Sequence, residues 1–155
     1  MSEAPFIRRA VPDDLPAIRR ITEAAYAPYL DVLGAPPVPM TEDYAPRIAA
    51  GQVWILEDGG APRGLIVIED GAERDEVFSV AVDPSAHGRG HGRALLSRAE
   101  HRARANGKTA LALYTNALMT RNIALYGRLG FQEIGRRANP KRKEFTIVDM
   151  VKPLD

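Results

Sequence analysis

Apolar residues recur along this chain with two periods, that of a helix and that of a strand, and the two alternate from end to end. Helical spacing predicts helices over residues 12–26, 41–50, 91–106 and 119–129, the first marked by Leu15, Ile18, Ile21 and Ala25. Short runs rich in β-branched and aromatic residues predict strands over residues 5–11, 52–57, 64–69, 76–82, 110–115, 131–137 and 144–151. Residues 28–40 contain four prolines and a glycine, which predicts an irregular loop. The order β-α-α-β-β-β-α-β-α-β-β indicates a mixed α/β fold.

The composition is that of an ordinary globular protein, with 45% hydrophobic and 26% charged residues. We expect residues 1–155 to form a single domain, which is long enough to bury a core without cross-links. The absence of cysteine excludes disulfides, thiolate metal sites and a covalent cysteine mechanism. The three histidines are not clustered, so no metal is expected. Neither a signal peptide nor an apolar run of membrane-spanning length is found, so we expect a cytoplasmic protein without a membrane partner.

The net charge of +1 is too balanced to indicate a nucleic-acid partner, but the charges are unevenly distributed. Residues 136–143 carry five positive charges, whereas residues 69–76 are mainly acidic. We interpret the basic run as a solvated hairpin loop, with attraction of phosphates or of an acidic partner as the alternative. Nucleic-acid binding is the weakest hypothesis, because no aromatic residues are interleaved with these charges.

A glycine-spaced loop joins a predicted strand to a predicted helix. The strand 76–82 is followed by Asp83-Pro84, and then by His87-Gly88-Arg89-Gly90-His91-Gly92 at the start of the helix. Such an arrangement turns backbone N–H groups toward a phosphate group, and glycine lets the backbone approach it. The loop is not a P-loop, because Arg93-Ala94 stands where Lys-Ser/Thr is needed, and Arg93 also replaces the third glycine of a dinucleotide fingerprint. A phosphorylated cofactor of another kind is therefore predicted.

The loop resembles the acyl-CoA pyrophosphate loop of the GNAT superfamily of N-acyltransferases, Gln/Arg-x-x-Gly-x-Gly/Ala, with His87 at the first position. About 35 residues later, the segment from Asn122 to Phe131 resembles that family's second signature, which ends in Tyr-x-x-x-Gly-Phe, with a shorter spacing ahead of Tyr126. The resemblance covers roughly residues 5–150. It implies a GNAT-like fold with a central mixed, mostly antiparallel sheet of about seven strands flanked by about four helices. It also implies acetyl-CoA as cosubstrate and transfer of the acetyl group to a primary amine by direct attack in a ternary complex.

The same resemblance implies which residues bind the cofactor: Val80, Ala81, Val82, His87, Gly88, Arg89, Gly90, His91, Gly92, Arg93, Asn122 and Tyr126. The backbone N–H near Val82 is expected to stabilise the oxyanion. Arg89 and Arg93 are suited to phosphate contacts and equally to solvent exposure. His91 is otherwise expected to be a loop residue, and His101 an exposed helix residue. Tyr126 is the candidate general acid, and a core aromatic beside Ile123 and Leu129 is the alternative.

Glu76 is the candidate general base, or else an anchor for the substrate ammonium group. Strand alternation places it on one face with Phe78, Val80 and Val82. As a base it would need burial to raise its pKa toward 7. Glu73 and Asp75 compete for the role, and an acidic loop at the strand entry is the plain alternative.

The acceptor is expected to contact Tyr26, Tyr29 and Glu76, with Asp31, Tyr44 and Trp54 as further candidates suited to a cation. Tyr26 and Trp54 fit a core position equally well. The predicted acceptor is a small amine, an amino-acid derivative or a peptide N-terminus, and a homodimer is possible. The alternative function is a non-catalytic acyl-CoA-binding sensor or regulatory module.

Overall fold

The computed structural model describes residues 4–155. Within these residues the chain forms seven strands: β1 (Phe6–Arg9), β2 (Val53–Asp58), β3 (Ala61–Glu69), β4 (Arg74–Val82), β5 (Ala110–Asn116), β6 (Gln132–Ala138) and β7 (Thr146–Pro153). The same residues form six α-helices: α1 (Leu15–Tyr26), α2 (Tyr29–Leu33), α3 (Val38–Thr41), α4 (Ala45–Ala49), α5 (His91–Ala105) and α6 (Thr120–Arg128). Short 3-10 turns at Pro12–Asp14 and Pro84–Ala86 precede α1 and the loop before α5.

The strands form one sheet in the order β1-β2-β3-β4-β5-β7-β6. The pairs β1–β2, β2–β3, β5–β7 and β6–β7 are antiparallel, whereas β4 and β5 are parallel. A parallel pair needs a crossover connection, and α5 lies in the segment that joins β4 to β5. The prediction of a mixed, mostly antiparallel sheet of seven strands is therefore confirmed.

The chain divides into two compact units. Unit 1 comprises Met1–Ile68 and Phe78–Arg98, and unit 2 comprises Glu69–Val77 and Ala99–Asp155. The fully buried side chains of unit 1 include Ile18, Ile21, Ile55, Leu65, Ile66 and Leu95. Those of unit 2 include Ala99, Ala103, Leu111 and Val148. Each unit thus has an apolar core of its own.

Helix α5 lies close to β3 because β3 has a glycine at the contact. A Cβ atom at Gly64 would lie 3.1 Å from Leu95 Cδ1 and 3.2 Å from the carbonyl oxygen of Ala81. Any larger residue at Gly64 would push the helix outward, because protein interiors are already close-packed. This contact fixes the position of the first turns of α5, where the glycine-spaced loop ends.

The predicted loop over 28–40 contains α2 and α3, so the prediction of about four helices was too low. Helix α2 ends at Gly34, whose φ of 69° is the left-handed conformation typical of a helix C-terminus. The prolines that suggested a loop lie where a helix tolerates them, since Pro39 is in the first turn of α3. The predicted helix 41–50 shortens to Ala45–Ala49, and β3 begins at Ala61 rather than at residue 64.

A tight turn joins β2 to β3. Gly59 and Gly60 both have positive φ, 65° and 79°, as a two-residue hairpin with strand-compatible twist requires. The sequence Asp58-Gly59-Gly60 is typical of such a turn, which places Asp58 at the last position of β2.

Candidate functional site

The glycine-spaced loop follows directly from the end of β4 in unit 1. Asp83 N–H donates to the carbonyl of Arg63 over 2.7 Å, which ties the strand end to β3. The Asp83 carboxylate accepts from the backbone N–H and the hydroxyl of Ser85 at 3.0 and 2.9 Å, which closes the 3-10 turn and lowers the pKa of Asp83. Beyond this turn, Gly88 and Gly90 have φ values of 82° and 77°. Only glycine adopts these values without strain, and a Cβ at either position would meet nothing within 4 Å.

The backbone N–H groups from Gly88 to Arg93 form an unbroken row of donors. Among residues 4–155, none of these six groups donates a hydrogen bond to a backbone or side-chain acceptor. The next N–H, that of Ala94, donates to Gly90 and begins the helical pattern over 3.0 Å. Free N–H groups at the N-terminus of a 15-residue helix carry partial positive charge, which favours an anion.

Three side chains meet beside this row. Asp58 Oδ2 lies 2.9 Å from His91 Nε2 and 3.0 Å from Arg89 Nη1. The hydrogen bond from Arg89, followed by the one from His91, holds the pKa of the Asp58 carboxyl below its usual range. His91 is the first residue of α5 and is only 4% exposed, so the expectation of a loop residue was wrong. His87 and Arg93 are exposed, and His87 N–H donates to Pro84.

The two faces of β4 differ in exposure. Asp75, Val77, Ser79 and Ala81 are buried, and the alternate residues Glu76, Phe78, Val80 and Val82 are half-buried. This alternation agrees with the shared face predicted for Glu76, Phe78, Val80 and Val82. Ala81, also predicted to contact the cofactor, has its side chain on the opposite, buried face.

The parallel pairing of β4 is much shorter than the strand itself. The register with β5 runs from Arg74 opposite Ala110 to Val77 opposite Leu113 and covers four residue pairs. Strand β4 nevertheless continues to Val82. Main-chain groups of residues 78–82 on that side therefore have no ladder partner in β5 among the described residues. Val80, Ala81 and Val82 all belong to this unpaired stretch.

Glu76 lines an open, acidic cleft in unit 2. The cleft has a volume of about 740 Å³ and is lined by Glu69, Asp70, Gly71, Ala72, Glu73, Arg74, Glu76, Thr109, Ala110 and Ala112. Burial raises the pKa of Glu76, and the negative charge of Glu69 raises it further. A carboxyl whose pKa is raised in this way is a better base near neutral pH than an exposed one.

Asp75, the neighbour of Glu76, is a structural carboxylate. Its side chain is fully buried, accepts a hydrogen bond from Gly71 N–H at 3.3 Å and lies 3.4 Å from Arg102 Nη1. A buried charge must be paired, and this one is paired on the face of β4 opposite to Glu76. Glu73, the other competitor for the base, is exposed, and its carbonyl accepts from Thr109.

Tyr126 lies on α6 in unit 2 and is 7% exposed. Its ring meets Phe131 edge-on with the ring centroids 5.9 Å apart, and its carbonyl accepts from Phe131 N–H at 3.0 Å. The Gly-Phe pair that ends the signature therefore holds the tyrosine ring in place. Asn122 is half-buried one helical turn earlier, and its N–H donates to Met119.

Two of the four aromatic residues expected to contact the acceptor, Tyr26 and Tyr44, belong to the core of unit 1. Tyr26 is 7% exposed, and its hydroxyl lies 3.3 Å from the buried Ser79 Oγ. Tyr44 is 1% exposed and donates its hydroxyl to the carbonyl of Pro39 at 2.6 Å. Tyr29 is half-buried, with its ring 6.5 Å from that of Tyr26, and Asp31 is exposed. Trp54 is half-buried, and the guanidinium groups of Arg9 and Arg98 lie 4.9 and 5.2 Å from its ring centroid.

Two charged residues of these sites were missed by sequence reasoning. Asp58 reaches Arg89 and His91 from 31 and 33 residues away, and Arg102 reaches Asp75 across 27 residues. The sequence Asp58-Gly59-Gly60 indicates a turn, but it does not show which residues the Asp58 carboxylate contacts. The helical spacing of apolar residues likewise does not show which carboxylate Arg102 contacts.

Within residues 4–155, none of the helices is long and apolar enough to cross a bilayer. In the same part of the chain, no group of three or more His, Asp and Glu side chains could hold a metal ion.

Known proteins match both the sequence and the fold. The profile of the Acetyltransferase (GNAT) family matches residues 17–131. The mycothiol acetyltransferase of Propionibacterium freudenreichii subsp. shermanii is 29% identical over 160 aligned residues, which cover 85% of this chain and 50% of that protein. The chain spans about half the length of the curated relatives that it matches.

Solved structures match over nearly the whole chain. The ribosomal-protein-S18-alanine N-acetyltransferase of Escherichia coli superposes with a TM-score of 0.74 at 25% identity, covering 98% of this chain and 95% of that one. YncA from Salmonella typhimurium, solved with its cofactor acetyl-CoA, has a TM-score of 0.72 at 25% identity, with coverage of 99% and 95%.

Proposed function

Because this chain belongs to the GNAT family of acetyltransferases, we propose that it transfers the acetyl group of acetyl-CoA to a primary amine by direct attack of the amine on the thioester. The row of free N–H groups from Gly88 to Arg93 is the observation that carries this proposal. A pyrophosphate is a doubly charged acceptor that such a row satisfies. The open space over Gly88 and Gly90 leaves room for it against the backbone, so the residues present fit acetyl-CoA.

The proposed cofactor residues divide by the part of acetyl-CoA that they bind. Residues 87–93 hold the pyrophosphate, with Arg89 adding a charge-assisted hydrogen bond. Val80, Ala81 and Val82 lie where β4 has no ladder partner in β5, and the main-chain groups that this stretch turns away from β3 are proposed to hold the pantetheine arm. Asn122 and Tyr126 complete the proposed set. Acetyl-CoA supplies an acetyl group that is already activated as a thioester.

Each proton in the transfer has a proposed donor or acceptor. Glu76 accepts a proton from the ammonium group of the substrate, so that the free amine attacks the carbonyl carbon and forms the C–N bond. The N–H near Val82 donates to the oxyanion as it develops. Tyr126 protonates the thiolate sulfur as the C–S bond breaks, which a neutral phenol can do near pH 7. The attacking nitrogen loses its second proton as the amide forms, and that proton returns to the Tyr126 phenolate, so the protons balance. No cysteine exists to form an acyl-enzyme, which favours direct transfer.

We propose an acceptor that is cationic before it reacts. The cleft beside Glu76 is lined by four carboxylates, those of Glu69, Asp70, Glu73 and Glu76, and by Arg74; Asp70 is paired with Arg102 at 2.8 Å, and the lining keeps an excess of negative charge. Such a surface attracts an ammonium group and repels a carboxylate substrate. Tyr29 is retained as a further acceptor contact, whereas Tyr26 is proposed to act only by supporting β4 through Ser79.

The proposal is tested first by calorimetric titration with acetyl-CoA, with NADH and ATP as controls for non-specific nucleotide binding. Turnover is then measured over a panel of primary amines, including a peptide with a free N-terminus, by detecting released CoA with a thiol-reactive chromophore. The protein contributes no background because it has no cysteine. Selective binding with turnover supports the proposal. Binding without turnover on any amine would support the acyl-CoA sensor instead, and no binding would refute both.

A further inference from the structure

One carboxylate oxygen of Asp58 contacts two side chains that differ greatly in their exposure to solvent. Oδ2 accepts from Arg89 Nη1 at 3.0 Å and lies 2.9 Å from His91 Nε2. Because a carboxylate only accepts hydrogen bonds, the proton of this contact belongs to His91 Nε2. The side chain of His91 is 4% exposed, whereas that of Arg89 is 56% exposed. His91 is thus held inside the protein, and Arg89 is free to move into solvent.

We propose that Asp58 is a positioning residue that anchors the phosphate loop through His91 and serves as a resting partner for Arg89, which leaves it for an incoming pyrophosphate. This inference rests on the proposed function, since it takes acetyl-CoA as the ligand of the loop.

Moving Arg89 from Asp58 to a pyrophosphate costs little free energy. An exposed arginine–carboxylate pair is weak because water and salt screen it, whereas a pyrophosphate offers two charges and several acceptor oxygens. When Arg89 leaves, Asp58 Oδ2 still accepts the hydrogen bond from His91 Nε2. His91 and Arg89 share one oxygen of Asp58. His91 therefore still holds the loop after Arg89 has moved from Asp58 to the pyrophosphate.

The β2–β3 turn makes Asp58 a fixed point for this exchange. Asp58 is the last residue of β2 and pairs with Ala61 across the turn, and its side chain is 14% exposed. The loop itself has Gly88 and Gly90 on either side of Arg89, with no Cβ to restrict it. Asp58 therefore competes with the cofactor for Arg89 and lowers the affinity of the loop for an anion.

The test is a double-mutant cycle in which the dissociation constant for CoA is measured by calorimetry. Asp58→Asn keeps an oxygen for His91 but removes the charge that holds Arg89. We expect it to bind CoA about twofold to fivefold more tightly than the wild type, as the release of an exposed ion pair allows. Arg89→Ala should weaken binding, and adding Asp58→Asn to Arg89→Ala should then have no effect. Asp13→Asn, an exposed charge change elsewhere in unit 1, is the matched control and should leave the constant unchanged.

Each other outcome overturns part of this scheme. Equal or weaker binding by Asp58→Asn, with an unchanged melting temperature, would make Asp58 a structural anchor only. Tighter binding in both backgrounds would show that Asp58 repels the phosphates directly, without Arg89. If the wild type does not bind CoA at all, the proposed function fails and this inference with it, a result that differs from either of the others.

Discussion

Asp75 and Glu76 are adjacent carboxylates on one strand, and their surroundings give them opposite uses. Asp75 is fully buried and bound to Gly71 N–H and Arg102, so its charge is committed to the core of unit 2. Glu76 is half-buried in an acidic cleft, where burial and Glu69 raise its pKa. Strand alternation alone separates the two, because neighbouring side chains point to opposite faces. The candidate base is therefore the carboxylate that lines the cleft, and its pKa is raised.

Replacement of Glu76 by Gln should lower kcat/KM for the amine about 100-fold at neutral pH, the usual contribution of a general base. The dissociation constant for acetyl-CoA should not change. In the wild type, activity should rise with pH through the raised pKa of Glu76, because only the ionised carboxylate accepts a proton. A variant with wild-type turnover would assign Glu76 to the cleft surface alone.

The same variant should change how stability depends on pH. A carboxyl whose pKa is raised by folding destabilises the protein once it is ionised, so Glu76→Gln should be more stable than the wild type at pH 7. The difference should shrink as pH falls and vanish well below the ordinary glutamate pKa of 4.5, where the wild-type carboxyl is protonated in both the folded and unfolded states. Urea unfolding at a series of pH values measures it, and a difference that is constant with pH would contradict the raised pKa.

Tyr126→Phe removes one oxygen from a ring that is otherwise held by Phe131. We expect kcat to fall about 100-fold with little change in acetyl-CoA affinity, because only proton donation to the thiolate is lost. Tyr44→Phe is the matched control, since its hydroxyl is bound to Pro39. That variant should lose about 1 kcal/mol of stability and keep its kcat. Equal kcat values for Tyr126→Phe and the wild type would make Tyr126 a core aromatic only.

At the scale of elements, the phosphate loop depends on the backbone conformation of its glycines more than on their small size. Gly90 has a φ of 77° and Gly107, in the turn after α5, has a φ of 74°. Neither would place a Cβ within 4 Å of another residue. Backbone strain from a substitution is therefore the same at the two positions, but only Gly90 lies in the row of free N–H groups.

Gly90→Ala and Gly107→Ala form a matched pair for this reason. Each should lose about 1–2 kcal/mol of stability, because an L-residue is strained in the left-handed region. Only Gly90→Ala should also weaken acetyl-CoA binding, since its strained backbone moves the donors away from the pyrophosphate. Calorimetry and thermal melts on both variants measure the two effects, and equal loss of affinity in the pair would disprove the loop assignment.

The sequence predicted the elements that are encoded by neighbouring residues, but it did not predict contacts between residues that are far apart in the chain. The loop at 87–92, the turn at Asp58 and the helices α1, α5 and α6 are each encoded by residues close in sequence. The early end of the β4–β5 ladder at Val77 is different, because strand pairing depends on residues that are far apart in the sequence. The anchoring of His91 by Asp58 also depends on tertiary contact, and nothing near His91 in sequence marks it as buried.

For the whole molecule, the bound cofactor should act as a source of stability. A ligand that binds only the folded state at 100 times its dissociation constant adds about 2.7 kcal/mol. For a chain of this size the melting temperature should then rise by about 5–10 °C with acetyl-CoA. The rise should be much smaller in Gly90→Ala, and an unchanged wild-type melting temperature at saturating acetyl-CoA would contradict cofactor binding.

Trp54 is the only tryptophan of the chain, and Arg9 and Arg98 cover its ring in unit 1. Its fluorescence therefore reports on β1, β2 and α5 and contains no emission from a tryptophan in unit 2. Circular dichroism in the far ultraviolet, in contrast, registers the helices and strands of both units. A common midpoint for the two signals during denaturation would show that the chain melts in one step, as a single domain should. Two midpoints would identify which unit is lost first, without any label being added.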